Sequence, residues 1–195
     1  LKQEGCGSAA PGARALSKNY SEINHEQFVS GAQLCDFYTC ELYAHNRSHF
    51  EQVIDKNIDF PAEYGYGLVA NKWLLETFSG EIGLIGGKEK IQLIKKLMSS
   101  TEYQEYLGIE KFEDYIEIPQ KFACDDIEET EAMVAQQLEQ SSSKIFLLGI
   151  GHVKSALLHR LPKHKKAIYL DVGSAIDVLC GVMDPGRPYF GGWTN

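Results

Sequence analysis

Lys144–Asp177 reads KIFLLGIGHVKSALLHRLPKHKKAIYLDVGSAID. Two apolar runs in it, Ile145–Leu148 and Ala167–Val172, have the length and the branched or aromatic content of buried strands, and each ends in a glycine-bearing turn. Between them Val153, Ala156, Leu157 and Arg160 recur at helical spacing, which predicts a short helix over Val153–Leu161. Strand, glycine turn, helix and strand make a βαβ unit with parallel strands. Open parallel sheets bind ligands in the crevice beyond the carboxyl ends of their strands. That edge would carry Gly149, Gly151, His152 and Lys154 from one turn and Asp171, Gly173, Ser174 and Asp177 from the other.

The same plan recurs upstream. In EIGLIGGKEKIQLIKKLM, Ile82–Ile85 is a short buried strand and Gly86-Gly87 a tight turn. Lys88–Met98 is then an amphipathic helix with Ile91, Ile94, Leu97 and Met98 inward. A helix entered through glycines offers free N–H groups and a positive dipole end to an anion, and Lys88 and Lys90 add charge there. Close packing of the turn accounts for the glycine pair equally well. Thr101–Asp114 suggests a short helix and a loop, and Tyr115–Ile118, stopped by Pro119, a third strand. Asp125 or Asp126 is the expected cap of a following helix with acids in its first turn and Met133, Val134 and Leu138 on its apolar side.

Further toward the N-terminus, Glu63–Phe78 is predicted as one helix with Leu68, Val69, Trp73, Leu74 and Phe78 inward; Gly65 and Gly67 weaken its first turn or mark a loop close to a ligand. Ala32–Ile54 is predicted as another, with Leu34, Phe37 or Tyr38, Leu42, Phe50 and Val53 or Ile54 near one face. The alternation of short strands with longer helices defines an α/β fold, a Rossmann-like and mainly parallel sheet flanked by helices, with an N-terminal helical segment. Residues 1–20, rich in Gly, Ala and Ser, read as a tail or linker, and 21–195 as a single domain, with 21–60 its helical part and 61–195 its Rossmann-like part.

With 195 residues, the chain can bury a core without disulfides or metal. A formal charge of −8 argues against nucleic acid, whose phosphates need clustered Lys and Arg. The one basic cluster, His159–Lys166, falls where a helix ends, and a solvated helix end explains it. Five scattered cysteines without a CxxC pair fit reduced thiols and a cytoplasmic location. No apolar run reaches the roughly 18 residues of a membrane helix. The chain opens on Leu1 rather than Met, and is expected to be part of a longer protein. Glu41, His45 and His49 lie four residues apart and can share one helix face, as metal ligands or as a solvated polar stripe, so the metal ligands stay unassigned.

Several ligand chemistries use such a scaffold. A nicotinamide site needs G-x-G-x-x-G; here Gly149-Ile-Gly151-His-Val-Lys154 puts lysine at the third glycine, although Asp171 stands where a ribose-binding acid would. Leu170-Asp-Val-Gly-Ser174 opens like a methyltransferase loop for an adenosyl cofactor, but lacks the second glycine. A phosphate-binding GxxxxGK[ST] loop is missing. The combination of EIGLIGGKEKIQLIKKL, KIFLLGIGHVKSALLHRL and AIYLDVGSAIDVLCG, followed by RPYFGGW, resembles the Rossmann-like domain of GT-D-fold glycosyltransferases over roughly residues 61–190. The resemblance implies transfer of a sugar from a nucleotide-sugar donor to a glycan or protein acceptor in bacterial surface-glycan or glycoprotein assembly. It also implies an N-terminal Asp-x-Glu motif holding a divalent metal, Mn²⁺ or Mg²⁺. This chain departs from that pattern: Asp36 and Glu41 are wrongly spaced, and Asp126-Ile-Glu128 reads better as a helix cap.

On this reading His152 and Asp171 are the catalytic candidates. Gly149, Gly151, Lys154, Gly173, Ser174, Asp177, Arg187 and Tyr189 would bind the nucleotide sugar, with Glu63 and Tyr64 as weaker candidates. A capping His152, a first-turn acid at Asp177 and a Pro-flanked loop packing Tyr189 on the core are the purely structural alternatives. The other function class is a non-catalytic nucleotide- or glycan-binding module of a larger polysaccharide-biosynthesis protein.

Overall fold

The structure is a computed structural model that describes residues 25–40, 47–48, 51–52, 54–55, 58, 60–119, 123 and 126–182. The expected tail, the Glu41/His45/His49 stripe, and Arg187 and Tyr189 lie outside the described residues.

A four-stranded, wholly parallel sheet forms the centre, in the order β4-β3-β5-β6. Its strands are β3 (Ile82–Gly87), β4 (Asp114–Ile118), β5 (Ile145–Gly149) and β6 (Ile168–Asp171). A separate pair, β1 (Thr39–Cys40) and β2 (Phe60–Pro61), is also parallel. The helices are α1 (His25–Leu34), α2 (Ala62–Ala70), α3 (Trp73–Thr77), α4 (Lys88–Leu97), α5 (Thr101–Leu107), α6 (Ile127–Glu139), α7 (Lys154–Leu157) and α8 (Ala175–Leu179). This is the α/β, Rossmann-like sheet flanked by helices that the strand–turn–helix repeats predict.

Every residue of β3 is buried, as are the first four of β5, whereas β6 is half open. The two central strands therefore read as unbroken apolar runs, as strands covered on both faces do. On one face Leu84 and Leu147 pack with Ile91 and Ile94 of α4 and with Ala175, Ile176 and Leu179 of α8. On the other, Ile85, Phe146 and Leu148 pack with Val134 and Leu138 of α6 and with Ala156 and Leu157 of α7. The chain steps outward from β3 to β4, then crosses back over β3 to β5 and β6. The reversal puts the later crossover helices on the opposite face and creates a topological switch between β3 and β5.

The amino edge of the sheet is closed by polar bonds. Asp114 Oδ2 accepts from the backbone N–H groups of Ser142 (3.0 Å) and Ser143 (2.8 Å). Asp126 caps α6, its Oδ1 accepting from Glu129 N–H at 2.8 Å.

Four expectations need correction. The helix predicted over Ala32–Ile54 is interrupted: it starts earlier and stops at Leu34, the described residues 47–48, 51–52 and 54 are helical again, and between them Thr39–Cys40 pairs with Phe60–Pro61. Leu34 and Phe37 are exposed rather than inward. The helix predicted over Glu63–Phe78 is two, broken where Lys72 takes a left-handed φ of 61° and Asn71 Oδ1 accepts from Trp73 N–H at 3.0 Å. Lys72 is held there with its ammonium over the Tyr106 ring, 3.4 Å from the centroid, and Trp73 turns outward. Met133 is exposed too. Finally, the crossover between β5 and β6 is α-helical only over Lys154–Leu157, with 3₁₀ turns at Gly151–Val153 and Leu158–Lys163; Pro162 provides no N–H for a longer α-helix.

Candidate functional site

The carboxyl ends of β3 and β5 lie side by side at the switch, with Gly86 paired to Gly149. Both glycines continue the rows of Leu84 and Leu147, so their missing side chains would point toward α4 and α8. That space is taken. A Cβ on Gly86 would lie 3.1 Å from Ile91 Cδ1, and one on Gly149 would lie 2.4 Å from Ile176 Cγ1 and 3.1 Å from Gly173 O. Close helix–sheet packing is thus what these two glycines provide.

Polar groups ring the edge beyond them. Gly151, with φ +57°, opens the 3₁₀ turn that carries the His152 backbone; the His152 side chain is not among those described. Lys154 begins α7 and forms an ion pair through Nζ with Asp171 Oδ2, at the end of β6. The second Asp171 oxygen accepts from Gly173 N–H at 3.2 Å, and Gly173 turns the chain with φ +50° into α8. Ser174 does not cap α8 with its side chain; its Oγ is buried without a hydrogen-bond partner among the described residues. Asp177, in the first turn of α8, pairs with Lys90 of α4. The edge therefore carries two Lys–Asp pairs: Lys90–Asp177 bridges the helices of one face, and Lys154–Asp171 ties a helix of the other face to the sheet.

Of the predicted site residues, Gly149, Gly151, Lys154, Asp171, Gly173, Ser174 and Asp177 come together at this edge, and the His152 backbone lies among them. Tyr64 is on α2 with its ring exposed, and the Glu63 side chain is not described. Gly65 and Gly67 are inside α2 with open space where a Cβ would stand, so the alternative of a loop there is replaced by helix. Lys90 stood in the sequence only as extra charge after a glycine turn; its partnership with Asp177 joins the helix that follows β3 to the helix that follows β6.

Neighbouring ionisable groups are structural. Burial, helped by Asp177 and opposed by Lys90, pushes the Cys180 thiol up to about 11, which makes it a poor nucleophile. Two members of the basic run after α7 pair with α6. Glu131 takes Arg160 at 2.9 Å and His164 at 2.8 Å. Burial raises the Glu131 carboxyl, but the bonds from His164 and Arg160 outweigh it and hold the group below its ordinary value.

Asp126 and Glu128 do not make a metal site. Asp126 is committed to its cap, and Glu128 stands 81% exposed beside Arg160. Among the described residues no group of three or more His, Cys, Asp or Glu is placed to hold a metal ion. Nor is any of their helices long and apolar enough to cross a membrane.

The fold and this edge define a Rossmann-like α/β protein with a polar edge at its topological switch. No protein-family model matches the chain, and no curated protein or solved structure matches it either.

Proposed function

We propose that this chain binds a nucleotide sugar along the carboxyl edge of β3, β5 and β6 and transfers the sugar to a glycan or protein acceptor. The observation that carries the proposal is the pair of Lys–Asp bridges at the switch. An ammonium taken from its carboxylate needs a new anion, and the abandoned carboxylate needs a new donor. Diphosphate and sugar or ribose hydroxyls supply both in one molecule. The adenosyl cofactor of a methyltransferase is a sulfonium without phosphate, and its single carboxylate would match only one of the two ammoniums. The nicotinamide reading lacks its third glycine, which is Lys154.

In the transfer, Lys154 moves to the diphosphate and balances the charge that grows on it as the sugar C1–O bond breaks. Asp171 Oδ2, released by Lys154, or His152 from the adjoining turn takes the acceptor hydroxyl proton as the new C1–O bond forms. The nucleoside diphosphate leaves with the bonding electrons.

One observation favours a second reading, a binding module without transfer. Lys154 and the Gly173 N–H already engage both Asp171 oxygens.

Thermal-shift measurements with UDP- and GDP-sugars, S-adenosylmethionine and NAD, each with and without Mn²⁺, test the proposal. A nucleotide sugar present at about 100 times its Kd should stabilise the fold by about 2.7 kcal/mol. No shift with any nucleotide sugar, or a shift only with one of the other two, contradicts it. His152→Ala should retain donor binding and lose transfer if His152 is the base. Retained transfer would give that role to Asp171.

A further inference from the structure

Lys90 and Asp177 stand at the starts of α4 and α8, which converge on the switch from β3 and β6. Their helices are anchored from below, because Ile91, Ile94, Ile176 and Val178 are all buried in one core. The side chains are not buried, with 38% of Lys90's and 35% of Asp177's exposed. Pairs this accessible to water hold weakly, by roughly two- to fivefold in an equilibrium. Fixed backbones with an easily parted pair between them describe a contact that can change partners without moving the fold.

The geometry points to a latch: a nucleoside diphosphate takes the Lys90 ammonium, and the released Asp177 carboxylate accepts a hydrogen bond from a hydroxyl of the donor's sugar. This rests on the nucleotide-sugar reading and adds that Asp177 sets the preference for sugar-bearing over sugar-free nucleotide. The reason is charge matching. A sugar-free diphosphate captures Lys90 but leaves Asp177 as an unmatched negative charge beside the phosphates. A nucleotide sugar brings the hydroxyl that Asp177 then lacks. The two partners of one ion pair therefore have opposite effects on sugar-free nucleotide.

Calorimetric titration of the wild type, Lys90→Met and Asp177→Asn with UDP, UDP-glucose, GDP and GDP-mannose tests this, with thermal melts establishing that each variant is folded. Lys90→Met should weaken every nucleotide that the wild type binds by roughly tenfold, the worth of a charge-assisted hydrogen bond. Asp177→Asn should tighten UDP or GDP by about two- to fivefold, because the competing carboxylate is gone. The same variant should bind the matching nucleotide sugar no better than the sugar-free form. If both folded variants bind like the wild type, the latch is wrong while the nucleotide-sugar site stands. Weaker UDP or GDP binding by Asp177→Asn likewise overturns it. If the wild type binds none of the four, the nucleotide-sugar reading fails and takes the latch with it.

Discussion

Gly149 governs how closely α8 lies on the sheet. Alanine there would put a methyl 2.4 Å from Ile176 Cγ1 and 2.5 Å from Ile176 Cβ, so either α8 lifts or the turn opens. Gly149→Ala should therefore cost about 1–3 kcal/mol in urea unfolding. Combining it with Ile176→Ala should recover part of that loss, because the two residues contact each other. A cost for Gly149→Ala that is the same with and without Ile176 would refute this packing role. Burial also sets the alkaline limit of the fold. Cys180 is held up at about 11 against an ordinary 9.0, and Tyr169 is pushed up to about 12 from 10.0. Both raised values favour the folded state while the groups are neutral. That stability is fully present below the unfolded values, near pH 9 for the thiol and pH 10 for the phenol, and is lost as pH rises through the folded ones. The urea midpoint should fall from about pH 9 upward, and Cys180→Ala should flatten the first part of the decline. A midpoint flat to pH 11 would contradict the shifts.

At the scale of elements, α1 is docked on α7 through a glycine notch. A Cβ on Gly31 would stand 2.1 Å from the Ser155 carbonyl oxygen, a backbone atom that cannot swing aside. Gly31→Ala should undock α1, at a cost of about 1–3 kcal/mol. In hydrogen exchange, α1 and α7 should lose protection while β3 and β5 keep theirs. Unchanged protection of α1 would show that the notch does not hold it. The N-terminal helices were also the elements least legible in the sequence. Apolar periodicity runs from Ala32 to Ile54, yet Thr39–Cys40 is a short strand beside Phe60–Pro61, and no local pattern announces a two-residue parallel pairing. The break at Lys72 depends on Tyr106 of α5, a tertiary contact that periodicity cannot report. By contrast β3, α4, β4, α6 and β5 follow directly from their apolar runs, glycine turns and the Asp126 cap, because there local preference and burial agree.

For the whole molecule, the order β4-β3-β5-β6 places the topological switch between β3 and β5, and the glycine pairs mark it in the sequence. That these turn residues gather at one edge is legible in the sequence, because strand ends bring them there whatever the details of packing. The partnerships were not legible. Lys154 with Asp171 and Lys90 with Asp177 join elements from different parts of the chain, and only the sheet order brings them within reach. The glycines show the same limit, since a missing side chain reads alike whether a phosphate or an isoleucine fills the space. Whether this edge receives a nucleotide sugar is tested most directly by amide NMR titration of the wild-type chain with UDP-glucose and GDP-mannose. One of them should shift the signals of Gly86–Gly87, Gly149–Val153 and Asp171–Ser174, leaving Ser142–Lys144 at the opposite edge in place. Perturbations gathered at Ser142–Lys144, or none with either ligand at millimolar concentration, would contradict it.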